Sequence, residues 1–248
     1  MYSDIRALVL REVRYKETDR ILTVFTAEGG KQTVKAPGAV GKKSRISAAT
    51  QQLTYSELTL YERNGYKNVK EAVTLEAFQG LRQDICLFAL GAYFAECVET
   101  LTIENEPEPE IMQLALNSLY ALSNSLYDPL KIKAAFELRL ISLCGYTPQL
   151  LRCACCGKEE ISEPVLSYGD SNVYCRKCTA DGRFVSLSPS ILSAMRYIIT
   201  APAKKQFSFG IPDDELPRLS TITEQYMLRH SSGFFSTLTY WKDLNRKL

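Results

Sequence analysis

Leu53-Thr-Tyr-Ser-Glu-Leu-Thr-Leu-Tyr61, then Asn64-Gly65, then Tyr66-Lys-Asn-Val-Lys-Glu-Ala-Val-Thr-Leu-Glu-Ala-Phe78 reads as two strands and a tight turn. Leu58 and Leu60 alternate with Glu57 and Tyr61, the period-two pattern of a strand with one face on a core. Asn-Gly supplies the positive φ that a two-residue hairpin turn requires. Upstream, residues 4–15 mix β-branched residues with partial alternation. Arg20 to Thr26 then runs into Glu28-Gly29-Gly30, and Lys31 to Ala36 follows at once, which makes a second hairpin. Pro37-Gly38 breaks that ladder, and a loop runs to Gln51. Five short strands in so short a stretch suggest a small closed barrel, and five is the strand count of an oligonucleotide-binding (OB) barrel.

Past Gly80 the period becomes helical. Leu87, Leu90, Ala95 and Val98 share one stripe of a helix expected over 81–104. Glu104-Asn-Glu-Pro-Glu-Pro-Glu110 is a polar break whose acids suit the start of a second helix, Ile111 to Leu126. Asp128-Pro129 places a cap before a first-turn proline, and the helix it opens runs through Phe136 and Leu140 to the terminating Cys144-Gly145. Ser188-Pro189 starts another through Ile198, and Asp213 to Arg229 carries a further one. Phe234 to Leu244 stays open between helix and coil. The expected class is α+β: a five-stranded OB-type barrel over residues 1–79, then a mainly helical domain over 80–248.

Within the helical part, at about 152–179, stand Cys153-Ala-Cys155-Cys156-Gly157 and Cys175-Arg-Lys-Cys178. Taking Cys153 with Cys156 gives C-x2-C, eighteen intervening residues and a second C-x2-C, a four-cysteine zinc spacing. A C-x2-C turn lets two thiolates converge on one tetrahedral ion, and four sulfurs leave no open position, so one structural Zn2+ is expected on Cys153, Cys156, Cys175 and Cys178. Cys155 competes for a place in the first pair, and the competing chemistry is reduced thiols or a disulfide. Cys86, Cys97 and Cys144 fall in apolar helical patterns and read as core.

With 46% hydrophobic and 23% charged residues the chain is of ordinary globular composition. The start, Met1-Tyr-Ser-Asp-Ile-Arg-Ala-Leu-Val-Leu-Arg11, suits neither a signal peptide nor a membrane span, so a cytoplasmic location is expected, with the cysteines reduced or metal-bound. The net charge of +2 divides as +4 over residues 1–79, −5 over 80–150 and +3 over 151–248. A basic first domain points to an anionic partner. The one histidine, His230, reads as a residue favoured by a helix C-terminus. The nucleophile-elbow, zinc-protease and dinucleotide motifs are all missing. Gly38-Ala-Val-Gly41-Lys42-Lys43-Ser44 has its glycines too close for a phosphate-binding loop. No enzyme is expected.

From Lys31 to Ser56 there are five cations, Lys31, Lys35, Lys42, Lys43 and Arg45, and no carboxylate. Tyr15, Phe25, Tyr55, Tyr61 and Tyr66 lie on the neighbouring strands. Charge beside aromatic faces suits single-stranded nucleic acid, one for phosphates and the other for bases. The competing assignment is a solvated loop beside core aromatics, giving a scaffold whose barrel binds a partner protein, or an RNA, in place of DNA.

Tyr15-Lys-Glu-Thr-Asp-Arg-Ile-Leu-Thr-Val-Phe-Thr-Ala-Glu-Gly-Gly-Lys31, Ala36-Pro-Gly-Ala39 and Lys43-Ser-Arg-Ile-Ser-Ala-Ala-Thr-Gln51 resemble the N-terminal signature of the RecO family of bacterial DNA repair proteins. Ala135-Phe-Glu-Leu-Arg139, Gly145-Tyr-Thr-Pro148 and Cys153-x2-Cys156-Gly157 follow in that family's order. Ala39-Val40 stands where the family often has basic residues, and Gln52-Leu53 where it often has Pro-Phe; the last forty residues match poorly. The resemblance implies an OB domain and a zinc-bearing helical domain in a recombination mediator. It implies binding of single- and double-stranded DNA, annealing of complementary strands, and joining RecR to load RecA onto DNA coated by the single-strand-binding protein SSB. It also implies a cytoplasmic, nucleoid-associated location and no membrane. By position the DNA candidates are Lys31, Lys35, Lys42, Lys43 and Arg45, with Arg14 and Arg20 behind them. Arg20 has a structural alternative, an ion pair with Glu17 or Asp19.

Overall fold

The computed structural model describes residues 2–41, 44–63, 65–179, 184–231 and 233–246. Five strands, β1 (Tyr2–Tyr15), β2 (Asp19–Thr26), β3 (Gly30–Ala36), β4 (Tyr55–Arg63) and β5 (Tyr66–Glu76), close a barrel in the order β1-β2-β3-β5-β4. All neighbours are antiparallel except β3 and β5, which meet in parallel at Lys35 and Asn68. Alternate residues point inward, so Val9, Leu22, Val24, Val34, Leu58 and Leu60 form one core. The five strands and the OB arrangement expected from the sequence are present. Asn64 of the expected Asn-Gly turn lies outside the described residues; Gly65 has φ +75°.

Two features of the barrel were not legible in its alternation. The middle of β1, Ala7 to Leu10, is buried on both faces, because its outer side meets the helix α2 (Ile85–Leu101). The described parts of the loop, 37–41 and 44–51, fold back on the barrel, with Ala39 and Ile46 joining its core, so they are packed and not simply solvated. The β2–β3 turn is crossed by the acidic segment after α2. Glu104 bridges to Gly30 and Lys31, and Asn105 N–H donates to the Lys31 carbonyl at 3.1 Å. Gly30, at φ +56°, is the residue this approach requires, since a Cβ there would stand 2.0 Å from the Glu106 carbonyl oxygen. Glu104 to Glu106 are therefore a contact of the barrel as well as a solvated break.

The single helix expected over 81–104 is two, α1 (Gln79–Gln83) and α2. Asp84 between them is extended, and its carboxylate accepts from the N–H groups of Cys86 at 2.7 Å and Leu87 at 3.1 Å. That capping bond stabilises the start of α2 by about 1 kcal/mol and ends the preceding turn. Then come α3 (Pro109–Ser123), α4 (Pro129–Leu143), α5 (Pro189–Thr200), α6 (Leu216–His230) and α7 (Ser236–Asn245). Asp128 and Ser188 cap α4 and α5 as the sequence indicates. The stretch left open between helix and coil is α7.

Contacts group the chain into two compact units, Met1–Ser125 with Phe235–Leu248, and Leu126–Phe234. In the first, α7 returns to α2. Glu96 caps it, accepting from Ser236 N at 3.2 Å, Ser236 Oγ at 2.9 Å, Thr237 N at 3.0 Å and Thr237 Oγ1. Burial pushes the Glu96 carboxyl up, but these four donors outweigh it and hold its pKa below the usual range. In the second unit α4 packs on α5 and α6, and a small sheet follows it, β6 (Pro164–Ser167), β7 (Asn172–Cys175) and β8 (Phe184–Ser186), in the order β7-β6-β8. His230, at the end of α6, stacks on Tyr146 at 5.2 Å and meets Tyr226 at 4.5 Å. Burial, with Arg229 beside it, lowers its pKa, so the neutral ring is favoured and not the dipole-stabilised cation expected from its position.

Candidate nucleic-acid interface and metal centre

The barrel separates the cations that the sequence groups together. Arg20 reaches Glu12 Oε2 at 3.1 Å and donates to Ser47 O at 2.9 Å and Thr50 Oγ1 at 3.0 Å, with only 15% of its side chain exposed. Its ion-pair partner is thus Glu12 and neither Glu17 nor Asp19, because Arg20 lies across the β1–β2 ladder from the Glu12 strand and against Ser47 and Thr50. Lys35 pairs with Asp19 at 2.8 Å and lies 5.3 Å from the Tyr15 ring centroid. The Lys35 ammonium and the Gly38 N–H hold the Asp19 carboxyl down at about 2. Lys31 turns toward α2, donating to the Glu99 carbonyl at 2.6 Å beside Arg11, whose guanidinium is 2.7 Å from the Glu99 carboxylate. Arg14 is exposed and donates to the Glu17 carbonyl at 3.2 Å, and Arg45 is exposed on the loop. Lys42 and Lys43 lie outside the described residues.

Of the rings, Phe25 is core and Tyr55 is half-buried, with burial raising its phenol pKa. Tyr61 is half-buried; Tyr15 and Tyr66 are exposed. A further exposed ring, Tyr2, was missed: it lies against Tyr61 with centroids 6.4 Å apart, and the Lys70 ammonium sits 4.4 Å from its centre. The outer wall of the barrel thus offers rings with ammonium groups beside them, while Lys31 and Arg20 serve internal contacts. Aromatic alternation could have flagged Tyr2; the cross-strand register that brings Lys70 to it could not be read locally.

The four cysteines come together as their spacing requires. The sulfurs of Cys153, Cys156, Cys175 and Cys178 all lie within 4.8 Å of one another. Cys156 and Cys175 sulfurs are 3.8 Å apart, close to the edge of about 3.8 Å expected of a tetrahedron with Zn–S bonds near 2.3 Å. The first pair sits on a turn in which Gly157 N–H donates to the Cys153 carbonyl at 2.9 Å, with Gly157 at φ +75°. Cys175 ends β7, and Cys178 closes a short 3-10 turn, Arg176–Cys178. Cys155 is exposed and stands outside the cluster.

The electrostatics suit a cation. Burial pushes the Cys153 thiol up, but N–H groups of Cys156, Cys175 and Cys155 outweigh it and bring the pKa down to about 6. The second pair goes the other way. Burial and the nearby Cys153 and Cys156 sulfurs raise Cys175 to about 11, and hydrogen bonding to Cys156, with burial, raises Cys178 to about 12. Four sulfurs this close cannot all ionise alone, whereas a bound metal ion favours the thiolates. The residues present fit a metal held by four thiolates. Such an ion would tie the C-x2-C turn to the end of β7.

Comparison with known proteins fits both halves. A family model described as "Recombination protein O N terminal" matches residues 1–78, which holds the barrel, and one described as "Recombination protein O C terminal" matches 82–238. The chain belongs to the RecO family. A relative from Acetivibrio thermocellus named DNA repair protein RecO is 31% identical over 246 residues, covering 99% of this chain and 98% of that one. One of the same name from Listeria monocytogenes is 25% identical over 240 residues, covering 96% and 93%, and one from Desulfitobacterium hafniense is 31% identical over 204, covering 80% and 74%. The RecO C-terminal match runs into α7, so the likeness extends into the last forty residues, where the sequence had offered no counterpart.

Proposed function

We propose that this RecO-family chain is a non-enzymatic recombination mediator in DNA repair. In this proposal it binds single- and double-stranded DNA through the barrel of residues 1–79, anneals complementary strands, and acts with RecR to load RecA onto SSB-coated DNA. The helical domain of 80–248 carries one structural zinc on Cys153, Cys156, Cys175 and Cys178, and the protein works in the cytoplasm at the nucleoid. The observation that carries this reading is the coincidence of the RecO N-terminal match with a closed five-stranded barrel whose outer wall exposes rings and cations. Among the described residues no helix is long and apolar enough to cross a membrane.

Annealing asks little chemistry of a protein. Cations must reduce repulsion between two phosphate chains while base edges stay free to pair. Arg20 and Lys31 are engaged internally and Lys35 is held by Asp19, so of the cations expected from the sequence Arg45, Arg14, Lys42 and Lys43 remain for phosphate contact. A second reading, a scaffold whose barrel binds a protein or an RNA, draws on that same internal pairing. Anisotropy titrations with matched DNA and RNA oligomers over a salt series separate the two. DNA affinity is expected to fall steeply with salt and to be nearly indifferent to sequence. Combined Lys42→Ala, Lys43→Ala and Arg45→Ala should flatten the single-strand salt slope by up to about 2, at about 0.7 for each phosphate no longer neutralised. Wild-type affinity and slope in the triple variant would remove the loop from the interface, and a clear preference for RNA would favour the second reading.

A further inference from the structure

Where β1, β4 and β5 adjoin, the barrel wall carries a pairing with an unfilled role. Tyr2 is 62% exposed and faces Tyr61 directly across the β1–β4 ladder. The two rings stand at 61° with centroids 6.4 Å apart, so Tyr61 braces Tyr2 from the side. The Lys70 ammonium lies 4.4 Å from the Tyr2 ring centre, and among the described residues it has no ion-pair partner. That distinguishes it from Lys35 and Lys31, which are held by Asp19 and the Glu99 carbonyl.

A lysine resting on an exposed ring is a weakly held side chain, because the cation–π contact competes with hydration of both groups. A nucleotide offers each partner a stronger contact: phosphate for the ammonium, and a base face for the ring. The exchange needs only the lysine to swing off the ring, since the strand positions fix both Cα atoms. The ring is already braced, so little side-chain freedom is lost when a base arrives. We propose that Tyr2 and Lys70 form a stacking step for single-stranded DNA, in which an unpaired base lies on the Tyr2 ring and Lys70 takes the flanking phosphate. This rests on the DNA-binding reading above and adds to it a contact that senses bases and not only charge. It also favours single strands over duplex at this position, because a paired base has no free face to offer.

The test compares a thymidine oligomer with an abasic oligomer of equal length, by anisotropy at fixed salt, using the full chain. Tyr2→Ala is expected to lose roughly 5- to 150-fold in affinity for the thymidine oligomer and to bind the abasic one unchanged. Tyr2→Phe, which keeps the ring, should retain most of the wild-type affinity. Lys70→Ala should lower the salt slope on both oligomers by about 0.7, and an unchanged slope would take Lys70 out of the step. Equal losses on both oligomers with Tyr2→Ala, or no loss on either, would overturn the stacking step while leaving DNA binding in place. Failure of the wild type to bind either oligomer would overturn the DNA-binding reading and this inference with it.

Discussion

A strong chelator is expected to strip the zinc proposed for the four-cysteine cluster and to unfold the region around β6 to β8, and Cys175→Ala should do nearly the same. The strands there are four, four and three residues long, too short to hold themselves by ladder bonds alone. Val165, Leu166 and Val173 give the sheet some buried surface, but the turn bearing Cys153 and Cys156 adds little beyond its sulfurs. Structural zinc supplies about 10–16 kcal/mol in isolated fingers. Here part of that cost is met by neighbouring packing, so a loss above about 4 kcal/mol is expected, the range that removal of a metal reaches in folded proteins. Thermal unfolding with and without chelator, together with metal released on thiol titration, measures it. One zinc released per chain and a clearly lower melting midpoint are the expected results; an unchanged curve with no metal released would remove the zinc. Cys155→Ala should leave both quantities unchanged, since that side chain stands outside the cluster.

Lys133→Met is expected to cost about 3–5 kcal/mol, the penalty for leaving a buried charge uncompensated. Lys133 is 1% exposed, and its ammonium lies 2.8 Å from Glu137 Oε1 and 2.9 Å from Glu224 Oε2, joining α4 to α6. The other Glu137 oxygen accepts from Thr223 Oγ1 at 2.9 Å, and Ser220 Oγ lies 3.3 Å from the ammonium. Burial pushes the Lys133 pKa down, but the two carboxylates outweigh it and keep the amine charged. Removing the cation leaves two buried acids facing each other, whereas replacing all three residues with apolar side chains of similar volume should be tolerated far better. Denaturant unfolding of the single and triple variants reads the contrast. A loss below about 1 kcal/mol in Lys133→Met would show that water or relaxation relieves the acids.

The barrel was legible in the sequence because alternation and hairpin turns are local signals, and Leu58, Leu60 and Gly65 carry them. The four-cysteine cluster was legible because metal coordination would impose a spacing on the chain: Cys153, Cys156, Cys175 and Cys178 converge as that spacing requires. The roles of individual cations were not, since they depend on long-range register. Arg20 is consumed by Glu12 across the β1–β2 ladder, Lys35 by Asp19, and Lys31 by a carbonyl on α2, some seventy residues away in the chain. Tyr2 and Lys70 meet for the same reason and were missed for it. The small sheet β6 to β8 escaped notice because strands this short show no period, and the helix expected over 81–104 was divided by Asp84, a cap standing just before the apolar stripe of Leu87, Leu90, Ala95 and Val98.

The central claim, that this RecO-family chain brings complementary DNA strands together, is tested most directly by strand annealing. Two complementary labelled oligonucleotides are mixed with purified protein at low and moderate salt, and fluorescence transfer is followed over time. Acceleration that fades as salt rises is the expected result, because phosphate neutralisation drives the encounter. No acceleration, with no binding to either single strand, would contradict the claim and leave the barrel as a surface for a protein partner.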